Sequence, residues 1–309
     1  MSPRSATGRV HLSIAGVFFL VLAAGWLAMG SPGLRPDAAD AAHPPGTLHF
    51  DDTTDTIQVA GQTVLGVDST YEARIFFPAG TGGFGFVFNE WTDFAEDKYF
   101  AIGPALVQGY NHPLLPILQH NAVLGDDAWH HVAFVQDSST GQQRMYVDGA
   151  LVASQSVAGD IADSVWSPFV GAVGRGSMIR GSFRGYIDTL RISDTARYSG
   201  TSFSPPAGDL SDDDNALLLY NFSAADFVDD NGVIKVADLS GNGHTGSLGQ
   251  GFGGATSPLL HQPDTDGDGV PDAIDTCVAV ANPAQLNTDA ANTAANRPGA
   301  DGLGDACDD

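Results

Sequence analysis

The chain has 309 residues, with 13 Lys and Arg against 37 Asp and Glu, and a formal charge of −24 at pH 7. Hydrophobic residues make up 43%, enough for a packed core, so this is not a wholly disordered acidic polymer. A surface this negative repels phosphate backbones and excludes nucleic acid as a partner. Only Glu72, Glu90 and Glu96 are glutamates, and the remaining acids are aspartates. Abundant Asp and the 38 glycines favour turns and oxygen-ligand loops over helices.

At the N-terminus, Arg4 and Arg9 precede an uncharged stretch from Leu12 to Met29. A basic start followed by an apolar run reads as a secretory signal, with cleavage after Gly30 or Ala41. The run is also near the lower limit for a membrane span, so an uncleaved anchor is the alternative. Residues 1–42 are therefore read as signal or anchor plus linker, and contact with a membrane is expected only if this segment is uncleaved. The rest is expected outside the cytoplasm: secreted, at the cell surface, or in a periplasm.

From Thr47 to about Leu260, short apolar runs are cut by Gly, Asp, Asn and Pro. The pattern predicts strands over 47–50, 56–59, 71–77, 83–89, 99–106, 130–136, 143–147, 150–157, 183–192 and 216–222. Their spacing predicts an all-β, antiparallel sandwich over residues 43–260. Asp148-Gly149, between two apolar runs, is the signature of a two-residue hairpin, because both central residues of that turn need positive φ. Strands that are apolar on consecutive residues, such as Val132–Val135, predict cover on both faces. Trp129, His131, Ala133 and Val135 fall on one face, and Trp129 reads as a core anchor in preference to a sugar platform. His130 and His131 point to opposite faces, so the two rings cannot share an ion.

Trp129-His130-His131-Val132-Ala133-Phe134, then Met145-Tyr146-Val147-Asp148-Gly149, then Phe183-Arg184-Gly185-Tyr186-Ile187-Asp188 resemble the laminin G-like, concanavalin A-like jelly-roll family. Leu217-Leu218-Leu219-Tyr220-Asn221-Phe222, followed by Asp238-Leu239-Ser240-Gly241-Asn242-Gly243, looks like a further element of its bacterial members. In the family that element usually precedes the jelly roll; here it follows. The resemblance implies recognition of glycans or extracellular proteins, often assisted by calcium. Asp238 and Asn242 are candidate calcium ligands in a Gly-rich loop, against the alternative of a turn held by Asx hydrogen bonds.

Enzymes share this sandwich, and glycosidases need two carboxylates flanking the bond. The comparable acids here, Glu90, Asp93 and Glu96, are spaced by three, which puts successive acids on opposite faces of a strand. They are read as a solvated acidic loop. Neither a Gly-x-Ser-x-Gly elbow nor a His-Glu-x-x-His site is present. A non-catalytic protein is expected.

The C-terminal residues 261–309 carry the densest chemistry. Asp264, Asp266, Asp268, Val270, Asp272 and Asp275 fall at positions 1, 3, 5, 7, 9 and 12 of a calcium loop, with Gly269 at the sharp turn. A second, interrupted copy uses Asn287, Asp289, Asp301, Asp305 and Asp308. Cys277 and Cys307, the only cysteines, are expected to pair as a disulfide in an exported chain. The layout resembles thrombospondin type 3 repeats, which bind calcium along a ladder of aspartates cross-linked by disulfides. The expectation is thus a jelly roll followed by a short, irregular, calcium-stabilised repeat, acting in adhesion or recognition of a cell-surface glycan or matrix protein. A polysaccharide-active enzyme of the same fold and a structural stalk are the alternatives.

Overall fold

The computed structural model describes residues 46–261, except 52, 62–67, 81, 91–97, 112–115, 157–167, 176–177 and 252–254. It also describes Cys277, residues 279–281 and Cys307. Residues 12–29, Asp93 and Glu96 lie outside the described residues. So do the expected tail ligands: Asp264, Asp266, Asp268, Val270, Asp272, Asp275, Asn287, Asp289, Asp301, Asp305 and Asp308.

The strands in chain order are β1 (Thr47–Phe50), β2 (Thr56–Val59), β3 (Ser69–Phe76), β4 (Gly85–Glu90), β5 (Lys98–Gly103) and β6 (Leu106–Asn111). They continue as β7 (Leu118–His120), β8 (Trp129–Asp137), β9 (Gln142–Val147), β10 (Ala150–Ser156), β11 (Phe169–Gly171), β12 (Val173–Arg175) and β13 (Met178–Arg180). The last are β14 (Gly185–Ser193), β15 (Ala216–Tyr220), β16 (Phe227–Asp230), β17 (Val233–Val236), β18 (Gly246–Leu248) and β19 (Leu259–His261). One short 3-10 turn, Ala224–Asp226, precedes β16.

Two antiparallel sheets form the expected sandwich. The eight-stranded sheet runs β10-β9-β8-β3-β14-β1-β19, with β15 also on β14. The nine-stranded sheet runs β16-β17-β18-β2-β11-β4-β5-β6-β7. Strand β14 is long enough to hold two partners on one edge: Ile187 pairs with Leu48 of β1, and Leu190 pairs with Tyr220 of β15. The Leu-Leu-Leu-Tyr element thereby completes the eight-stranded sheet from the C-terminal side. The chain that follows it enters the nine-stranded sheet, where Ser247 of β18 pairs with Gln58 of β2.

Between the sheets lies one apolar core. Tyr71, Ile75, Val132, Phe134, Ile187 and Leu190 come from one sheet, and Ile57, Phe88, Phe100, Ile102, Val107 and Val170 from the other. Burying a Phe or Leu side chain contributes about 1.5–3 kcal/mol, so this set dominates folding. Glycine is required on β6: a Cβ at Gly109 would fall 2.3 Å from the Phe134 ring that crosses from the opposite sheet. At the hairpin joining β9 to β10, Asp148 and Gly149 have φ of 49° and 76°, as the two-residue turn demands.

The second face of β8 is also covered, as its consecutive apolar residues predicted. Ala133, Val135 and Tyr146 form a smaller cluster with Tyr198 and Phe203, whose rings stack at 3.6 Å. Trp129 differs from its expected place. It lies on this outer side, tilted against Phe76 at 5.4 Å with the Arg74 guanidinium 4.9 Å from its ring centroid. The expected single strand over 99–106 is two strands. Pro104 and Ala105 turn the chain, because proline presets φ for a turn and carries no N–H for the ladder.

Candidate functional site

The outer face of the nine-stranded sheet gathers side chains with no part in the core. Val170, Phe88 and Phe100 point inward, so their neighbours Phe169, Asn89 and Tyr99 point outward. Pairing puts these in one row: Phe169 opposite Asn89, Asn89 opposite Tyr99, and Tyr99 opposite Tyr110. On the other side of Phe169 the row continues through Gln58, Ser247 and Lys235. An irregularity in β4 adds a further ring. The register shifts between Phe86 and Phe88, so Val87 and Phe88 both enter the core and Phe86 turns outward beside Asn89.

The Phe86 and Tyr99 rings are 5.4 Å apart and the Tyr99 and Tyr110 rings 5.3 Å, close to the spacing between strands. All three are half-buried. Phe86 is seated against Gly181, where a Cβ would approach its ring to 2.2 Å, and its N–H donates to the Gly181 carbonyl at 2.9 Å. One strand rung away, the Gln108 amide donates to Gln119 at 2.8 Å. Asn89 is 1% exposed, and its Oδ1 accepts no hydrogen bond among the described residues. A row of aromatic faces flanked by amides and phenol hydroxyls can stack on the apolar faces of a ring compound and bond its hydroxyls.

The opposite outer face is closed. Glu72 on β3 is fully buried there and accepts hydrogen bonds from His131 Nε2 at 3.0 Å, Arg191 Nε at 2.8 Å and the Tyr198 hydroxyl at 2.7 Å. Burial alone would raise its pKa, but the His131 hydrogen bond and the Arg191 charge outweigh burial and hold it below the ordinary value. The chain from Thr195 to Asp213 straps this face. Thr195 accepts from Thr70 Oγ1 at 2.7 Å, Ser211 from Arg191 at 2.8 Å, and Asp213 from both Arg197 terminal nitrogens at 2.7 Å.

His130 and His131 do point apart. While His131 serves Glu72, His130 lies between two carboxylates, with Nδ1 2.8 Å from Asp148 and Nε2 2.9 Å from Asp126.

Glu90 corrects the reading of a solvated acidic loop. It ends β4 facing the interior, fully buried opposite Lys98 of β5, with Nζ 3.9 Å from its carboxylate. Asp55, another acid near the outer row among the described residues, accepts from Asp51 N–H at 2.8 Å and Thr256 Oγ1 at 2.6 Å.

Asp238 and Asn242 are brought together, through hydrogen bonds that tie their loop to β15. Asp238 accepts from Leu219 N–H at 3.1 Å, Ser240 N–H at 3.0 Å and Oγ at 2.7 Å, and His244 N–H at 3.0 Å. Asn242 Nδ2 donates to the Ala216 carbonyl at 2.9 Å. This is the Asx-bonded turn weighed against the calcium reading. Among the described residues, no group of three His, Cys, Asp or Glu side chains is placed to hold a metal ion. In the tail, Cys277 and Cys307 are joined by a disulfide, as expected.

Residues 51–200 match the profile of the Concanavalin A-like lectin/glucanases superfamily. That match covers just under half of the chain, and the likeness is one of fold: an all-β sandwich of two antiparallel sheets. No curated protein sequence matches the chain. Among solved structures, a candidate carbohydrate-binding protein from Bacteroides ovatus is similar with a TM-score of 0.50 and 16% identity, over 70% of this chain. The match spans 62% of that protein's length. The mouse laminin α1 LG4-5 domains have a TM-score of 0.40 and 17% identity, over 53% of this chain and 47% of theirs. The CBM40 module of the Ruminococcus gnavus IT-sialidase, solved with α2,3-sialyllactose, has a TM-score of 0.37 and 14% identity, over 43% of this chain and 79% of its own.

The outer row of the nine-stranded sheet escaped the sequence reading. Tyr110 lay beyond the single strand expected over 99–106, so its pairing with Tyr99 was hidden. The signal was the Gly103-Pro104 break followed by alternation of Val107 and Gly109 with Gln108 and Tyr110.

Proposed function

We propose that this chain is an exported, non-catalytic, calcium-stabilised glycan-recognition protein that binds through the outer face of its nine-stranded sheet. The observation that carries this reading is the in-register row Phe169–Asn89–Tyr99–Tyr110, with Phe86 beside it. It is a laterally spaced aromatic platform bordered by uncharged hydrogen-bonding groups. The concanavalin A-like fold, shared with the Bacteroides candidate carbohydrate-binding protein, supports it. The commitment of Glu90 to Lys98 and of Asp55 to Thr256 also favours binding over hydrolysis. Export is supported by the basic, then apolar, N-terminus and by the Cys277–Cys307 disulfide. Calcium is assigned to the aspartates of residues 264–308. There, oxygen donors outnumber large apolar groups, and a hard cation would offset their repulsion.

The test is retention of the full chain on a panel of insoluble and immobilised polysaccharides, in calcium and in chelator, with the supernatant assayed for released sugar. Retention without release is expected. Chelator is expected to lower the thermal stability of the tail, with calcium binding in the range of roughly 10⁻⁴–10⁻³ M. Release of soluble sugar, or the absence of any calcium effect, would count against the corresponding part of the proposal.

A further inference from the structure

The described cations of this chain are nearly all neutralised within it. Arg74 pairs with Asp188 at 2.8 Å, Arg144 with Asp137 at 2.8 Å, Arg191 with Glu72 at 2.7 Å and Arg197 with Asp213 at 2.7 Å. Lys98 faces Glu90, and Lys235 pairs with Asp230. Among the side chains described, the exception is Arg184, which is exposed and has no ion pair there.

Its surroundings are equally unusual. In a chain with 37 acids, residues 164–187 contain no Asp or Glu but three arginines, Arg175, Arg180 and Arg184. Two of these stand on the β12–β13 hairpin, and the third opposes Gly83 in an antiparallel bridge. The Arg184 side chain passes over Gly83, its Cδ 3.5 Å from where a Cβ would be. This is the border of the aromatic row: Gly83 is three residues before Phe86, roughly 10 Å along the strand. Between them, Gly181 packs on the Phe86 ring.

We propose that the glycan bound by this face is acidic, with a carboxylate or sulfate placed at Arg184 beside the Phe86 end of the row. This rests on the reading of the face given above. A free guanidinium matches the planar, two-oxygen edge of either anion. The row itself is uncharged from Tyr110 to Gln58, so the rest of the sugar needs only stacking and hydroxyl bonds. A polymer charged on every unit, like a nucleic acid, would meet the −24 charge everywhere else. An anion presented at the uncommitted Arg184 would not.

The experiment is affinity electrophoresis of the full chain through gels containing hyaluronan (carboxylate) or κ-carrageenan (sulfate), each charged only on alternate sugars, or neutral barley β-glucan, at two salt concentrations. Wild type, Arg184→Ala, Arg180→Ala and Tyr99→Ala are compared, each checked by near-UV circular dichroism. Retardation by an acidic polymer is expected to weaken about tenfold or more in Arg184→Ala and to fall with added salt. The two acidic gels separate carboxylate from sulfate recognition. Retardation by β-glucan alone, abolished by Tyr99→Ala, would overturn the acidic assignment and leave the binding face standing. Acidic binding unchanged in both arginine variants but lost in chelator would place the anion on calcium and overturn the assignment. No retardation in any gel would remove the binding face and the assignment together.

Discussion

Glu90 and Lys98 face each other across β4 and β5 inside the sandwich, 3.9 Å apart, with neither side chain exposed. Tyr71 from the opposite sheet lies near enough that the Glu90 charge, after burial itself, raises its hydroxyl pKa well above the ordinary value. An ion pair among Phe88, Phe100 and Tyr71 lies in a medium that solvates charge poorly, so removing one member leaves the other with less to offset its burial. Lys98→Met should therefore destabilise the fold by about 3–5 kcal/mol. Adding Glu90→Gln should recover much of that loss. Urea unfolding of the two variants checks this. Equal midpoints for the single and double variants would show that the charge on Glu90 is not what the lysine offsets.

The Glu72 hub predicts a dependence on acid. Its folded pKa lies below the ordinary glutamate value, so its contribution is complete above that value and is lost as pH falls through the folded one. Glu72→Gln should cost about 1.5–3 kcal/mol near pH 7, the range for hydrogen bonds to a charged group. The gap to wild type should close as pH drops below 4. Thermal unfolding between pH 3 and 7 reads this directly, and a gap that stays constant would contradict it. The same variant should loosen the strap from Thr195 to Asp213, since Tyr198 and Arg191 both anchor on that carboxylate.

His130 predicts the opposite sign. Both ring nitrogens meet carboxylate oxygens, which only accept, so the imidazole must donate twice and be protonated. Burial works against this, but the hydrogen bonds and charges of Asp126 and Asp148 prevail and raise its pKa. Its stabilisation is full below the unfolded value near 6.5 and disappears as pH rises through the higher folded value. His130→Gln should thus lose most stability, relative to wild type, on the acidic side. An NMR titration placing the His130 midpoint at or below the ordinary histidine value would refute the double-donor geometry.

Much of the fold was legible. Strands β1 and β2 have the predicted bounds, and Asp148-Gly149 makes the predicted hairpin, because period-two patterns and positive-φ turn residues act locally. Short strands such as β7, β11 and β18 have three residues each. They carry too little pattern to be seen and are fixed by the longer strands beside them. Asn231-Gly232 was an unread hairpin signal; it joins β16 to β17, with φ of 57° and 86°. The outer row was the least legible part. It is a property of register across four strands, and register depends on the bulge at Val87 and the turn at Pro104, which alter which residues share a face. Glu90 misled for a related reason: its position at the end of a core-facing strand outweighs the acidic run that follows it.

The central claim is that the row through Tyr99 and Tyr110 is the glycan-binding surface. The most direct test is isothermal titration of wild type and the Tyr99→Ala/Tyr110→Ala variant with the polysaccharide that retains the wild-type chain best. Saturable binding by wild type, weakened about tenfold or more in a variant that still gives a native near-UV spectrum, is the predicted result. Equal affinity in the two proteins would contradict the account and move the binding site off this sheet.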